Sequence, residues 1–268
     1  MRLFSFLLVI LGAIAVSCTG TDRIASGSTP TSSIPEYGLL LVSTLDGSLT
    51  AINSDTGHQR WSFNLGAPLL ESPRDPLTGF TFIPDPKDGQ IFALQDGALE
   101  KLPYTVPQLV KASPSKSGKG VLFAGSKKDV WISINPETGH KLDALPPPPA
   151  SSYCPVGHPE NIFIGRIDYQ LSMLDSNKKD VQWNASFTDY SSHLLPPDNL
   201  YPFAHFSLPN DGVILTYDAR HERLFKTKVS GVIANLYLLK TDGLHLLPHT
   251  TISTTLFDDI VRVGFTLF

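Results

Sequence analysis

Asp46-Gly-Ser-Leu-Thr-Ala-Ile-Asn53, followed by Thr56-Gly57 and Trp61, holds the pattern that decides the fold. Asp46-Gly47 is a hairpin turn in which glycine accepts the positive φ that other residues resist, and Leu49 with Ala51 begins an alternating strand. Thr56-Gly57 then turns the chain again. The phrase recurs, anchored on Asp46, Asp88, Asp129, Asp168 and Asp211, at intervals of 42, 41, 39 and 43 residues. About forty residues make a four-stranded β-meander, and a unit of that size buries its apolar face only by stacking on its neighbours. The five copies predict one cooperative body, mainly β, built of propeller-like, quinoprotein-type repeats of antiparallel strands with few short helices.

The copies differ in completeness. Asp88-Gly-Gln-Ile-Phe-Ala-Leu94 and Asp211-Gly-Val-Ile-Leu-Thr-Tyr-Asp218 keep the first turn and strand, and the third copy keeps Thr138-Gly139 without a tryptophan. Trp61 follows Asn53 by eight residues and Trp183 follows Asp175 by eight, which predicts one packing role used twice. The best helix is Val106 to Ala112, after Pro103, with one more turn near Asp258.

The first residues have a different character. Arg2, the 14 mostly apolar residues Leu3 to Val16, and Ala15-Val-Ser17 read as a signal peptide over residues 1–17. The apolar run is shorter than the roughly 20 residues that cross a bilayer. Residues 18–36, rich in Ser, Thr, Gly and Pro, read as a disordered linker, and residues 37–268 as the β-repeat domain. Pro146-Pro-Pro-Pro149 is a second breaker, read as a long loop. The apolar run Val261 to Phe268 reads as a strand without a closing turn, which predicts a domain truncated at its C-terminus. With 21 basic against 25 acidic residues and a net charge of −4, the chain offers no basic groove for nucleic acid. Cys18, at the edge of the signal, and Cys154 are the two cysteines; if cleavage removes Cys18, Cys154 is a lone thiol, buried or available for an intermolecular bond. Asn184-Ala-Ser186 is an N-glycosylation sequon.

Catalytic and metal motifs are missing from the sequence: it has no H-E-x-x-H, C-x-x-C, Walker A loop or G-x-S-x-G. His245 and His249 have the spacing of a helical metal pair, but Pro248 and the surrounding alternation place them on strand and loop. Asp85-Pro-Lys-Asp88-Gly89 resembles a calcium loop in composition only, since Lys87 interrupts the oxygen ligands. The chain is read as a non-enzyme without cofactor or metal. In Asp129-Val-Trp-Ile-Ser-Ile-Asn135, Val130, Ile132 and Ile134 form one strand face and leave Trp131 beside Ser133 on the polar one. An aromatic there is either packed beneath a neighbouring unit or offered to a partner, where tryptophan gives large apolar area at low entropic cost.

Val42-Ser-Thr-Leu-Asp-Gly-Ser-Leu49, Ile83-Pro-Asp-Pro-Lys-Asp-Gly89, Lys101-Leu-Pro-Tyr-Thr-Val-Pro107, Lys127-Lys-Asp-Val-Trp131 and Trp183-Asn-Ala-Ser-Phe-Thr-Asp-Tyr190 together are similar, in order, to the lumenal domain of a known family. That family is the inositol-requiring transmembrane kinase/endoribonuclease, the unfolded-protein-response sensor of the endoplasmic reticulum. The resemblance implies a β-rich stress sensor in the endoplasmic reticulum lumen. It would form a homodimer through a strand and bind a lumenal Hsp70-class chaperone and unfolded polypeptides, with kinase and endoribonuclease domains that are not in this chain. Carried over by residue, the dimer interface falls on Pro114, Lys127, Asp129 and Trp131, and the peptide groove on Lys127, Tyr169 and Asp189; Asn184 is the glycosylation site. Ser115 stands where better-known members have cysteine, which argues against a disulfide-linked dimer there, and Gln108 and Lys111 also depart from the family pattern. The alternatives are the lumenal domain of the related translation-initiation-factor kinase, a bacterial propeller-type lipoprotein suggested by Cys18, and a quinone-dependent propeller enzyme, whose cation, calcium site and base do not assemble here.

Overall fold

The computed structural model describes residues 34–65, 68–71, 81–95, 97–116, 120–145, 161–175, 182–196 and 200–262. The predicted signal peptide, Cys18, the Pro146–Pro149 run and Cys154 lie outside them. The described chain is mainly β, in four sheets arranged like the blades of a propeller. The first sheet has the order β13-β18-β17-β1-β2-β3, with β1 Leu39–Thr44, β2 Ser48–Asn53, β3 Gln59–Asn64, β13 His193–Leu194, β17 Ile233–Lys240 and β18 Gly243–Leu247. The second is β10-β9-β11-β12-β4, with β4 Leu70–Glu71, β9 Val121–Ile134, β10 Lys141–Leu145, β11 Ile162–Asp175 and β12 Gln182–Tyr190; β8 Ser115–Lys116 also pairs with β9. The third is β5-β6-β7 (Thr81–Pro84, Gln90–Gln95 and Ala98–Thr105), and the fourth β16-β15-β14-β19 (Arg223–Lys228, Val213–Asp218, Phe203–Ser207 and Thr250–Thr251). The sheets are thus unequal, and the first draws strands from both ends of the described chain, unlike a simple forty-residue repeat.

Two of the five anchors are not turns. Asp129 and Asp168 lie inside the 14-residue strands β9 and β11, where Asp129 pairs with Ile167 and Asp168 with Lys128. The reason is local: Asp46, Asp88 and Asp211 are each followed by a glycine in the left-handed region, whereas Asp129 precedes Val130 and Asp168 precedes Tyr169, which favour extended backbone.

The repeat that the fold does use is a turn led by Asn or Asp, one per sheet. Asn53, Asn135, Asp85 and Asp218 each accept, through Oδ1, the backbone N–H two residues on, at 2.9, 2.9, 2.9 and 3.0 Å. Four residues after each leader the chain is left-handed, at Gly57, Gly139, Gly89 and Glu222. Three of these turns carry an aromatic ring from a neighbouring sheet. A Cβ added to Gly57 or Gly139 would lie 2.5 Å from Phe225 or Trp61, and one on Gly89 would lie 3.1 Å from Phe187. At Gly57 and Gly139 only glycine leaves room; at Gly89 the Phe187 ring would have to give by a few tenths of an ångström. These contacts fasten the fourth sheet to the first, the first to the second, and the second to the third.

Trp61 also donates its indole N–H to the Pro136 carbonyl at 2.9 Å and stacks on Phe63. Trp183 is buried too, but against Phe82 of the third sheet, and its indole N–H has no partner among the described residues. The two tryptophans share inter-sheet packing and differ at the polar end.

The apolar core lies between these layers. Leu39, Leu41, Ile132, Ile134 and Tyr237 join the first and second sheets; Phe123, Leu171, Trp183 and Phe187 join the second and third; Leu40, Val42 and Ile214 join the first and fourth. The helix expected from Val106 forms as α1 (Val106–Lys111), with a reciprocal cap between Thr105 and Gln108 and Val106, Leu109 and Val110 buried. Near Asp258 the chain forms α2 (Thr254–Arg262), which sets Phe257 and Ile260 against the fourth sheet. Val261 and Arg262, expected to open a strand, close this helix instead, because Phe257, Ile260 and Val261 recur at helical spacing; the rest of that run is outside the described residues.

Candidate interaction surface on the second sheet

The second sheet changes its buried face along its length. On β9 and β11, Phe123, Leu171 and Met173 point toward the third sheet and α1, while Val130, Ile132, Ile134 and Ile164 point the opposite way, toward the first sheet. Between these stretches neither face is covered, and Ser126, Lys127 and Lys128 are exposed. Residues of one strand face alternate by two, so Lys127, Asp129 and Trp131 share the face that Phe123 begins.

Unshifted pairing fixes their neighbours. Lys127 lies opposite Tyr169 and Tyr169 opposite Phe187; Asp129 lies opposite Ile167 and Ile167 opposite Asp189; Trp131 lies opposite Gly165. The predicted groove residues Lys127, Tyr169 and Asp189 therefore sit on one face in adjacent rows of three strands. Lys127 Nζ meets the Asp129 carboxylate at 3.2 Å; both are exposed, so the pair contributes at most about 1 kcal/mol. Tyr169 stacks on Phe187, and Trp131, half-buried, lies 6.5 Å from Phe163. Burial pushes the Asp189 carboxyl above its usual range, with Asp88 of the third sheet adding to the effect and the Tyr190 N–H, at 2.8 Å, opposing it. Burial likewise raises the Tyr169 phenol, with Asp189 reinforcing and Lys127 opposing. The surface thus joins aromatic area, one ion pair and one acid whose pKa is raised by burial.

The outer edge of β9 has a gap. β8 pairs with Leu122 and Phe123, β10 pairs with Trp131 and beyond, and among the described residues no strand pairs with β9 between those points. Gly125 donates its N–H to Ser113 Oγ at 2.7 Å, on the side away from β11. Backbone groups of an antiparallel strand alternate sides, so Lys127 and Asp129 also direct N–H and C=O outward, into the gap. Pro114 stands at one end of it, between α1 and β8, and does not share the Lys127 row.

Asn184 is elsewhere. It is exposed on β12 opposite Ser172, on the sheet face away from Lys127. Reading the sequence did not single out Phe163, Ile167, Gly165 or Ser113. Gly165 has a tight role, because a Cβ there would stand 2.8 Å from Ser191. Among the described residues, no group of His, Cys, Asp or Glu could hold a metal, and no helix is long and apolar enough to cross a membrane.

No known-family profile matches the chain. Individual relatives do. The serine/threonine-protein kinase/endoribonuclease ire-1 of Caenorhabditis elegans is 40% identical over 98% of this chain, and human IRE2, described in the same words, is 35% identical over 80%. Over nearly its whole length the chain is similar to Ire1 proteins. It spans 27% of the worm relative and 23% of the human one. A more distant similarity, 25% over 75% of the chain, is to the C. elegans eukaryotic translation initiation factor 2-alpha kinase pek-1. The compact lumenal domain of yeast Ire1 has the same fold, with a TM-score of 0.60, 23% identity, and coverage of 80% of this chain and 76% of that one. The propeller-like architecture is therefore that of Ire1 lumenal domains.

Proposed function

We propose that this chain is an endoplasmic-reticulum stress-sensing lumenal domain that self-associates through the open edge of β9. The observation that carries this is the gap itself, into which Lys127 and Asp129 direct their backbone groups. Exposed strand edges pair with other strands unless they are covered. The sequence of this edge is self-complementary. Two copies placed antiparallel about a dyad at Lys128 bring Lys127 of one opposite Asp129 of the other, both inside the gap, so that the charges match. Sedimentation velocity tests it: wild type forms dimers, while Lys127→Pro, which removes an outward N–H and leaves the pairing with β11 intact, and Trp131→Ala each weaken dimerisation at least tenfold. Unchanged dimerisation in both variants would exclude this edge.

The Lys127, Tyr169 and Asp189 face is proposed to take unfolded polypeptide, with a lumenal Hsp70-class chaperone as the opposing ligand. A partner that prefers the dimer raises its share and one that prefers the monomer lowers it. Coupling to kinase and endoribonuclease activity would belong to the longer protein, as in the names of the relatives. Tyr169→Ala should reduce capture of denatured polypeptide on immobilised protein, and capture equal to wild type would remove the groove from this face.

A further inference from the structure

We propose that self-association builds an anion site on the other face of the second sheet, around two copies of Lys128, and that a small multivalent oxyanion bound there favours the dimer. The proposal rests on the self-association reading, because half of the site belongs to the second copy. Lys127 and Asp129 share the groove face, so Lys128 between them turns to the opposite one. There it lies opposite Asp168 on β11, and Asp168 lies opposite Thr188 on β12. This pairing does not neutralise the lysine. Asp168 Oδ1 already accepts from Arg166 Nε at 2.7 Å and from the Thr188 hydroxyl at 3.0 Å, and Arg166 is buried, which holds the pair in place. Lys128 is exposed and has no ion-pair partner among the described residues. Ser126, Gln170 and Ser186, the next row on this face, carry no charge. On this stretch of β9, β11 and β12, Arg166 and Lys128 therefore stand against the single carboxylate of Asp168.

Pairing of two copies sharpens that imbalance. The register that sets Lys127 opposite Asp129 of the second copy also sets Lys128 opposite Lys128 of the second copy. Lys127 and Asp129 direct their backbone groups outward and so make the hydrogen-bonded pairs. The two Lys128 residues then form the non-hydrogen-bonded pair between them, in which Cα atoms are about 4.5 Å apart and side chains stand closest. One row runs through Thr188, Asp168 and Lys128 of one copy and continues in reverse order through the other. Like charges directly opposite each other destabilise a sheet. Here two ammonium groups meet at the centre of the row, and each neighbouring carboxylate is occupied by its own arginine. The pair is at once a brake on association and a binding site, since an oxyanion with two or more charges can contact both ammonium groups, whereas chloride only screens them.

Sedimentation velocity of the full chain at low ionic strength tests this, with sodium pyrophosphate and sodium citrate as probes and sodium chloride at matched ionic strength as reference. Wild type dimerises at least threefold more tightly with a probe than with chloride; a response to pyrophosphate alone assigns the site to phosphates, and to citrate alone to carboxylates. Lys128→Gln dimerises about threefold more tightly than wild type when no probe is present, and it no longer responds to either anion. Mixed with wild type, Lys128→Glu forms heterodimers beyond their statistical share, because opposite charges then meet at the centre of the row. Equal affinity in pyrophosphate, citrate and chloride overturns the anion site. If Lys127→Pro still weakens the dimer in that case, the β9 edge stands and only this proposal falls. A chain that stays monomeric with and without the probes overturns both readings.

Discussion

β1 and β9 are both apolar strands inside sheets, and the contrast between them separates what the fold needs from what it offers to partners. β1 is buried at all six positions, with β17 on one side and β2 on the other, and its faces feed two different cores. β9 is buried only near its ends, on opposite faces; its middle is exposed at Ser126, Lys127 and Lys128, and along one edge it has no strand partner there among the described residues. The difference follows from sequence. Leu39-Leu-Leu-Val42 is apolar without interruption, as a strand covered on both faces must be. Ser126-Lys-Lys-Asp129 interrupts β9 where burial would force charged groups out of water. Charge in the middle of an otherwise apolar strand marks the part that packing does not use.

The largest expected effect is on the closed strand. Leu41→Ala should cost about 3 kcal/mol, from lost transfer energy and the cavity left in a site with no exposure, and chemical denaturation would measure it. A loss below half a kilocalorie would mean that β1 is less tightly enclosed than its neighbours indicate. At the joint between the two sheets, Gly139→Ala should cost about 2 kcal/mol or more, because a Cβ both occupies the left-handed region and runs into Trp61. Gly97, left-handed with nothing within 4 Å, isolates the backbone contribution, and Gly97→Ala should cost about 1 kcal/mol. Equal losses at the two glycines would show that the Trp61 contact adds nothing.

Acid should weaken the closed part before it affects the open one. His205, joined to Tyr201 at 2.7 Å and Thr216 at 2.9 Å, is held down to about 3 by burial, and half-buried His249 to about 4 by burial and by Lys87. Both folded values are below the unfolded one near 6.5, so the unfolded chain binds more protons as pH falls through this window. Stability is full above about pH 6.5 and declines toward about pH 3, with His205 alone contributing about 2 kcal/mol between pH 6.5 and 5. Asp218 acts lower: hydrogen bonds from His221 and Arg220 outweigh burial and hold its carboxylate well below the usual range, so its contribution is lost only below about pH 4. Urea midpoints at pH 7 and 5 should differ in wild type and differ by about half as much in His205→Gln, where His249 still titrates; a midpoint independent of pH would contradict this assignment.

The smallest effect on stability belongs to the open strand. Lys128→Ala should change unfolding free energy by less than about 0.5 kcal/mol, since exposed charges contribute little. A loss near that of Leu41→Ala would show β9 to be as enclosed as β1.

The β class and the stacking of units were legible in the sequence from turn residues and alternation, because these follow from local backbone preferences. Val130, Ile132 and Ile134 declared their shared face for the same reason, as did α1 after Pro103. The anchors at Asp129 and Asp168 misled because an acidic residue alone does not make a turn. The more regular signal was an Asn or Asp followed four residues later by a left-handed position, and Thr56-Gly57 and Thr138-Gly139 showed only half of it. Of the candidate site, resemblance supplied Lys127, Asp129, Trp131, Tyr169 and Asp189, but not why they meet. Their adjacency depends on pairing between strands about forty residues apart.

The amino-acid order by itself determined which segments become strands, where the chain turns, and that charge breaks the apolar run of β9, since each depends on neighbours in sequence. Tertiary structure alone decided that the second sheet exchanges its buried face midway, that Trp61 closes over Gly139, and that the middle of one β9 edge has no strand partner among the described residues. Those outcomes depend on register and on which sheet lies alongside, and no local preference encodes either.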